Sequence, residues 1–255
     1  MAAREVSHRK RVALGALLVA AAAVIPLCAN ETVRDITVYG YNRLQGEKYS
    51  IGQRLDQFAP AVRARLSDEF AAADVAWPPR ELSFLAFKDV RHLEVYARNR
   101  PGDAWRFIKD YRVLGASGTL GPKLMAGDRQ VPEGIYRADS LNPNSRFHLS
   151  IHVNYPNAFD REIAQRDGRG NLGGDIMIHG ARASDGCLAM GNDAAEDLFV
   201  LAALAGDPRV RIIISPTDFR DPTSRVPHIV APWLRELYLA IRTELQQYPA
   251  PVTGR

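Results

Sequence analysis

Residues 176–190 read IMIHGARASDGCLAM. An apolar run from Ile176 to Ile178 ends on His179, seven mostly small or polar residues follow, and Cys187 comes next. That pattern predicts a strand ending at the histidine and a helix beginning after the cysteine. The loop between them is short enough to fold back and bring imidazole to thiol. A nearby imidazole lowers the thiol pKa and stabilises the thiolate, the form that attacks a carbonyl. A cysteine just ahead of a helix also gains the positive end of the backbone dipole. Gly186 lets backbone amides approach a developing oxyanion, and Ser184 is placed to orient the imidazole or the loop. The expectation is cysteine acyl transfer through a thioester. A zinc site needs three or four ligands. Here the local candidates are only His179, Asp185 and Cys187, so no metal is expected.

The chain's other cysteine, Cys28, sharpens the question. Residues 4–11 carry Arg4, Arg9, Lys10 and Arg11 against Glu5, and an uninterrupted apolar run follows from Val12 to Ala29. A basic segment before an apolar one is the pattern of an export signal, and residues 12–29 are also long enough for an inner-membrane tether. Either way the globular part is expected outside the cytoplasm, in the periplasm. With Cys28 in the apolar segment, Cys187 is a lone thiol in an oxidising compartment, where cysteines are normally paired. A small buried hydrophobe is the plain alternative; the neighbours favour a thiol kept for chemistry.

Charge argues against nucleic acid. The formal net charge is +4, but the first 29 residues carry +3 of it, and the rest intersperses acids and bases. Binding a phosphate backbone needs a concentrated basic stripe, and none is visible.

Outward from the motif, apolar residues at Leu55, Phe58, Val62, Leu66, Phe70 and Ala73 predict an amphipathic helix, with Pro60 kinking it or near its first turn. WPPRE at 77–81 marks a boundary. LSFLAFK, HLEVYAR and WRFIKDYRV read as strands, and residues 121–137 as a turn-rich link. RFHLSIHVNYP alternates Phe147, Leu149, Ile151 and Val153 with His148, Ser150, His152 and Asn154. His152 is a candidate for lining a cleft, whereas His92, His148 and His228 read as surface or hydrogen-bonded residues. NDAAEDLFVLAALAG predicts a helix capped by Asn192 or Asp193, RVRIIISP a closing strand, and APWLRELYLAIRTELQQY a helix docking through Trp233, Leu237, Ile241 and Leu245. The organisation expected is a signal or anchor at 1–29, a helical region at 30–81, a mostly β domain at 82–216 and a helical extension at 217–255.

These residues resemble a known family. HG followed by S-x-G-C resembles the signature of the L,D-transpeptidase catalytic domain, the YkuD-like family. GPKLMAGDRQVPEGIYR is similar to its G-D-x-x-T-P-E-G-x-Y segment, with Val131 where Thr is usual. The short His-to-Cys loop, G-C-x-A-M, HxNYPN and the Trp-bearing last helix look most like the YafK-like branch. The resemblance implies a mainly β (α+β) fold, a YkuD-like β-sandwich domain with flanking helices at both ends. It implies Cys187 as nucleophile and His179 as proton acceptor and donor. Ser184 and Gly186 fall at supporting positions, and Gly180, Arg182, His152 and Tyr155 are further supporting or substrate-binding candidates.

The implied substrate is a peptidoglycan stem peptide, attacked at the carbonyl following the L-centre of diaminopimelate. Release of terminal D-Ala leaves a thioester, which an amine of another stem or of an outer-membrane lipoprotein resolves. No cofactor is implied, and carbapenems are expected to acylate the cysteine. Many members carry Arg two residues after the cysteine; here Ala189 stands there, and Arg182 is the candidate substitute. The YafK-like branch also implies a rival reading, a hydrolase with water as acceptor that releases lipoprotein or cuts wall links. An inactive wall-binding scaffold is a third.

Overall fold

A computed structural model describes residues 48–206, 209–225 and 231–251. The expected signal or anchor at 1–29, residues 30–47 of the expected helical region, and His228 lie outside these residues.

Helix α1 (Ile51–Ala72) starts on a capping box in which Ser50 Oγ accepts from Gln53 N and Gln53 Oε1 from Ser50 N. These bonds satisfy two of the donors a helix start leaves unpaired. Pro60 lies well inside the helix rather than in its first turn. Val62, Leu66 and Phe70 are buried, one turn apart on one face.

The strands are β1 (Glu81–Phe87), β2 (His92–Arg98), β3 (Arg106–Arg112), β4 (Gly134–Ser145), β5 (His148–Val153), β6 (Met177–His179), β7 (Leu188–Ala189) and β8 (Val210–Ser215). They form one eight-stranded mixed sheet in the order β3-β2-β1-β8-β4-β5-β6-β7. β1 pairs parallel with β8 and β6 with β7, and the remaining pairs are antiparallel. β4 joins the halves: its first four residues pair with β8, and the rest with β5 across two register shifts. Bulges of this kind bend and twist a strand, so the sheet curls at β4.

The remaining helices are α2 (Ala158–Arg166), α3 (Asn192–Ala205) and α4 (Trp233–Leu245). Leu82, Phe84, Ala86, Ile212 and Ile214 face a core shared with α1 and α3, while Leu85, Phe87 and Ile213 face a second core built with α4. Covering both faces explains why β1 and β8 read as nearly continuous apolar runs. α4 docks through Leu234, Leu237, Tyr238, Ile241 and Leu245, and Trp233 is only partly buried, with its indole N–H on Asp167. The fold is α+β, as the residues and the resemblance led one to expect.

Two local expectations are corrected. The residue after Cys187 begins strand β7, and α3 begins only at Asn192. The thiol therefore does not sit at a helix N-terminus, and the dipole invoked for it is absent there. The helix cap is Gly191 at φ +79°, with no side-chain cap, whereas Asn192 is the first helical residue and accepts from Ala181 N. Helix α2 was not anticipated, although its capping box, Asn157 with Asp160, is a readable local signal.

Candidate functional site

β6 and β7 pair with Ile178 beside Leu188 and His179 beside Ala189. Side chains alternate along a strand and paired residues share a face. Ile178 and Leu188 therefore point together into the core, where both are buried. Met177, His179 and Ala189 take the opposite face, and continuing that alternation one residue back from Leu188 brings Cys187 to it beside Met177. Cys187 and His179 are diagonal neighbours on that face, the relation in which long side chains reach one another. β5 extends the row, with Ser150 opposite His179 and His152 opposite Met177.

His179 is buried and stacks on Phe147, ring centroids 4.7 Å apart. Its Nδ1 lies 2.6 Å from the Gly180 carbonyl oxygen. A carbonyl only accepts, so Nδ1 carries the hydrogen and Nε2 is left with a lone pair. Burial lowers the imidazole pKa, and the bond to Gly180 opposes this. Gly180 has no room for a side chain: a Cβ there would lie 2.7 Å from Asn192 Oδ1 and from the Phe147 carbonyl oxygen.

The Cys187 thiol donates to the Asp175 carbonyl, with sulfur and oxygen 3.6 Å apart. Burial pushes its pKa up, the Asp185 and Asp175 carboxylates push the same way, and the Met177 N–H and Lys123 oppose them. This corrects the expectation of a thiolate stabilised by imidazole. Burial disfavours the charged form of each group, so thiol and imidazole rest as a neutral pair.

Ser184 Oγ donates to the Cys187 carbonyl at 2.7 Å, so it holds the loop and not the imidazole. Gly186 sits at φ +90°, a conformation that favours glycine. Its N–H is taken by Ser117 Oγ at 2.6 Å and is not free for an oxyanion, unlike the expectation. Among the described residues, no acceptor engages the Cys187 N–H.

The other candidates separate. His152 lines a cleft of about 540 Å³ with Arg137, Asp139, Asn154 and Arg161, while His148 turns away to pair with Glu196 of α3 at 2.9 Å. Tyr155 borders that cleft, but its hydroxyl donates to the Lys123 and Leu172 carbonyls, and burial holds its pKa well above the usual phenol value. Arg182 is exposed. Its carbonyl lies against Gly115, where a Cβ would come within 2.1 Å. Ala189 is fully buried, with its N–H and carbonyl both bonded to Gly115. A long side chain at 189 has no space without moving that segment. Among the described residues, no group of three or more His, Cys, Asp or Glu side chains is arranged to hold a metal ion.

Ser117, Asp175 and Asp139 join the site without having been anticipated. Ser117 reaches Gly186 across 69 positions of sequence, a contact with no local signal.

With that geometry in view, comparison with known proteins is direct. Residues 90–214 match the model of the YkuD family, the L,D-transpeptidase catalytic domain. The chain is 36% identical over 140 residues to YafK of Escherichia coli, strains K12 and O157:H7, a protein that carries a provisional L,D-transpeptidase name. The match takes in 53% of this chain and 54% of YafK, so the chain spans about half the length of the curated relatives it matches. Among solved structures, the helical cell shape determining protein Pgp2 from Campylobacter jejuni is 23% identical, with a TM-score of 0.44, over 54% of this chain and 48% of Pgp2. Bd1075 from Bdellovibrio bacteriovorus is 22% identical, with a TM-score of 0.40, over 68% of this chain and 56% of Bd1075.

Proposed function

We propose that the protein is an exported cysteine acyltransferase, an L,D-transpeptidase acting on peptidoglycan stem peptides, with Cys187 as nucleophile and His179 as general base and acid. The observation that supports the reading is the β6–β7 register, whose alternation, carried one residue back from Leu188, puts Cys187 on the face of His179, with the Nε2 lone pair free. The match of residues 90–214 to the L,D-transpeptidase catalytic domain model supports the substrate class.

In the first half-reaction His179 Nε2 takes the thiol proton as Sγ bonds to the donor carbonyl carbon. The Cys187 N–H faces the developing oxyanion. The C–N bond to the terminal D-Ala breaks, and Nε2 returns the proton to the departing amine. In the second, an amine of another stem or of a lipoprotein attacks the thioester and gives up its proton to Nε2. The C–S bond breaks, and Nε2 reprotonates the sulfur. A neutral resting pair suits this order, because charge develops only as the bond forms.

The test uses the protein lacking residues 1–29. It is incubated with disaccharide-tetrapeptide, with and without a lipoprotein C-terminal peptide, and followed by intact-protein and product mass spectrometry. The expected result is an acyl adduct on Cys187, loss of D-Ala and a cross-linked or peptide-linked product, all absent in Cys187→Ala. D-Ala loss with only tripeptide, together with release of lipoprotein peptide from a preformed conjugate, makes the protein a hydrolase. No product and no carbapenem adduct on Cys187 overturns the enzyme reading in favour of a scaffold.

A further inference from the structure

Cys187 is gripped on both sides by one distant segment. Upstream of it, the Gly186 N–H donates to Ser117 Oγ at 2.6 Å. Downstream, the Ala189 N–H donates to the Gly115 carbonyl, and the Ala189 carbonyl accepts from the N–H groups of Leu114 and Gly115. The gripping segment is itself tied down. Gln130 Oε1 accepts from Thr119 N at 2.6 Å, and Gln130 Nε2 donates to the Thr119 and Gly121 carbonyls, each at 3.2 Å. Gln130 also backs the turn, since a Cβ on Gly186 would lie 3.2 Å from its carbonyl oxygen.

These bonds bear on one peptide plane. The plane between Gly186 and Cys187 carries the Cys187 N–H, which no acceptor engages among the described residues. Peptide planes are rigid, so such a plane turns only about the soft dihedrals of the residues it joins. The plane before it is held by Ser117 through the Gly186 N–H, and the plane after it by Ser184 through the Cys187 carbonyl. Holding both neighbours restrains the direction of the amide between them. Gly186, at φ +90°, has the backbone freedom of a glycine. The bond to Ser117 therefore restrains the hinge at which that amide would otherwise swing.

We propose that Ser117 is a positioning residue for acyl transfer: by accepting the Gly186 N–H it aims the Cys187 N–H at the oxygen of the attacked carbonyl. Its contact is with the backbone, whereas the His179 ring and the Cys187 sulfur bond elsewhere. The inference rests on the acyl-transfer reading and holds with amine or water as acceptor, because thioester formation precedes both. A preorganised donor counts where charge develops on oxygen. Alkylation by iodoacetamide proceeds at a saturated carbon and develops no carbonyl oxyanion. The two reactions thus report the aim of the amide and the state of the thiol separately.

The full chain and its Ser117→Ala and Ser117→Thr variants are compared in D-Ala release from disaccharide-tetrapeptide and in alkylation of Cys187 by iodoacetamide across pH. Ser117→Ala is expected to lower kcat for D-Ala release by about 10- to 100-fold, approaching the loss seen when an oxyanion donor is removed. KM should stay near its original value, because the contact sought is made in the transition state. Alkylation should keep its rate and its pH midpoint. Ser117→Thr keeps the hydroxyl and should recover most of kcat. An unchanged kcat, a rise in KM alone, a parallel fall of D-Ala release and alkylation, or an equal loss in the Thr variant overturns the proposal. No D-Ala release and no adduct on Cys187 in the unsubstituted chain overturns the acyl-transfer reading and this inference with it, so the two failures are told apart.

Discussion

The Asp175 carbonyl oxygen lies 3.6 Å from the Cys187 sulfur and accepts its hydrogen. That bond holds the thiol form, and burial acts in the same direction, with the Asp185 and Asp175 carboxylates adding to it. Alkylation by iodoacetamide, which reports the thiolate, is expected to rise with a midpoint above the ordinary thiol range. Asp185→Asn removes one opposing charge and is expected to move the midpoint down. A midpoint below the ordinary range would instead mean a preformed thiolate–imidazolium pair.

His179 is kept neutral by burial, and the Phe147 ring supplies one wall of that burial. The base must be neutral to accept the thiol proton. The acid limb of kcat/KM is therefore expected below about 6.5, the ordinary imidazole value. Phe147→Ala admits water, eases the cost of imidazolium and should shift that limb towards higher pH. A pH–rate profile of both proteins measures it. An unshifted limb would assign the limb to another group.

Much of this was legible in the residues. The motif at 176–190 announced a strand ending on His179 and a tight loop to Cys187, and apolar spacing named Val62, Leu66 and Phe70 of α1 and Leu237, Ile241 and Leu245 of α4, all buried, while passing over Leu234 and Tyr238. Burial pairing on two faces made β1 and β8 read as strands at once. What the sequence hid were contacts with no local signature: Ser117 on the Gly186 N–H, the bulge at Asp139, and the two-residue strand β7 where a helix start was expected. The sign of the thiol shift was also hidden, because it depends on how deeply the loop packs and on which carboxylates stand near it. Neither follows from spacing.

Ala189 shows how a departure from a family pattern can be structural. Its backbone is bonded on both sides to Gly115, and it is fully buried. Ala189→Arg is expected to overpack this contact at a cost of about 1–3 kcal/mol. That corresponds to a melting temperature lower by roughly 3–10 °C in a domain of this size. The variant should also gain no activity, because the displaced segment carries Ser117. Thermal denaturation and D-Ala release check both halves.

Asp160 links pH to stability away from the thiol. It caps α2 by accepting from the Asn157 N–H at 2.9 Å and takes the Tyr136 hydroxyl at 3.3 Å. Burial nevertheless raises its pKa from 3.8 to about 6, outweighing those bonds. Between about pH 4 and 6 the folded chain then holds a proton that the unfolded chain releases. Stability from this group is fully present below the lower value, falls as pH rises through the window and is flat above it. Asp160→Asn keeps an acceptor for the cap but does not titrate. Relative to the unsubstituted protein, its stability is expected to improve between pH 4 and pH 7 by on the order of 2 kcal/mol. Urea denaturation of both proteins at the two pH values measures the change. An equal difference at both would mean that the Asp160 carboxylate is as well solvated in the fold as in the unfolded chain.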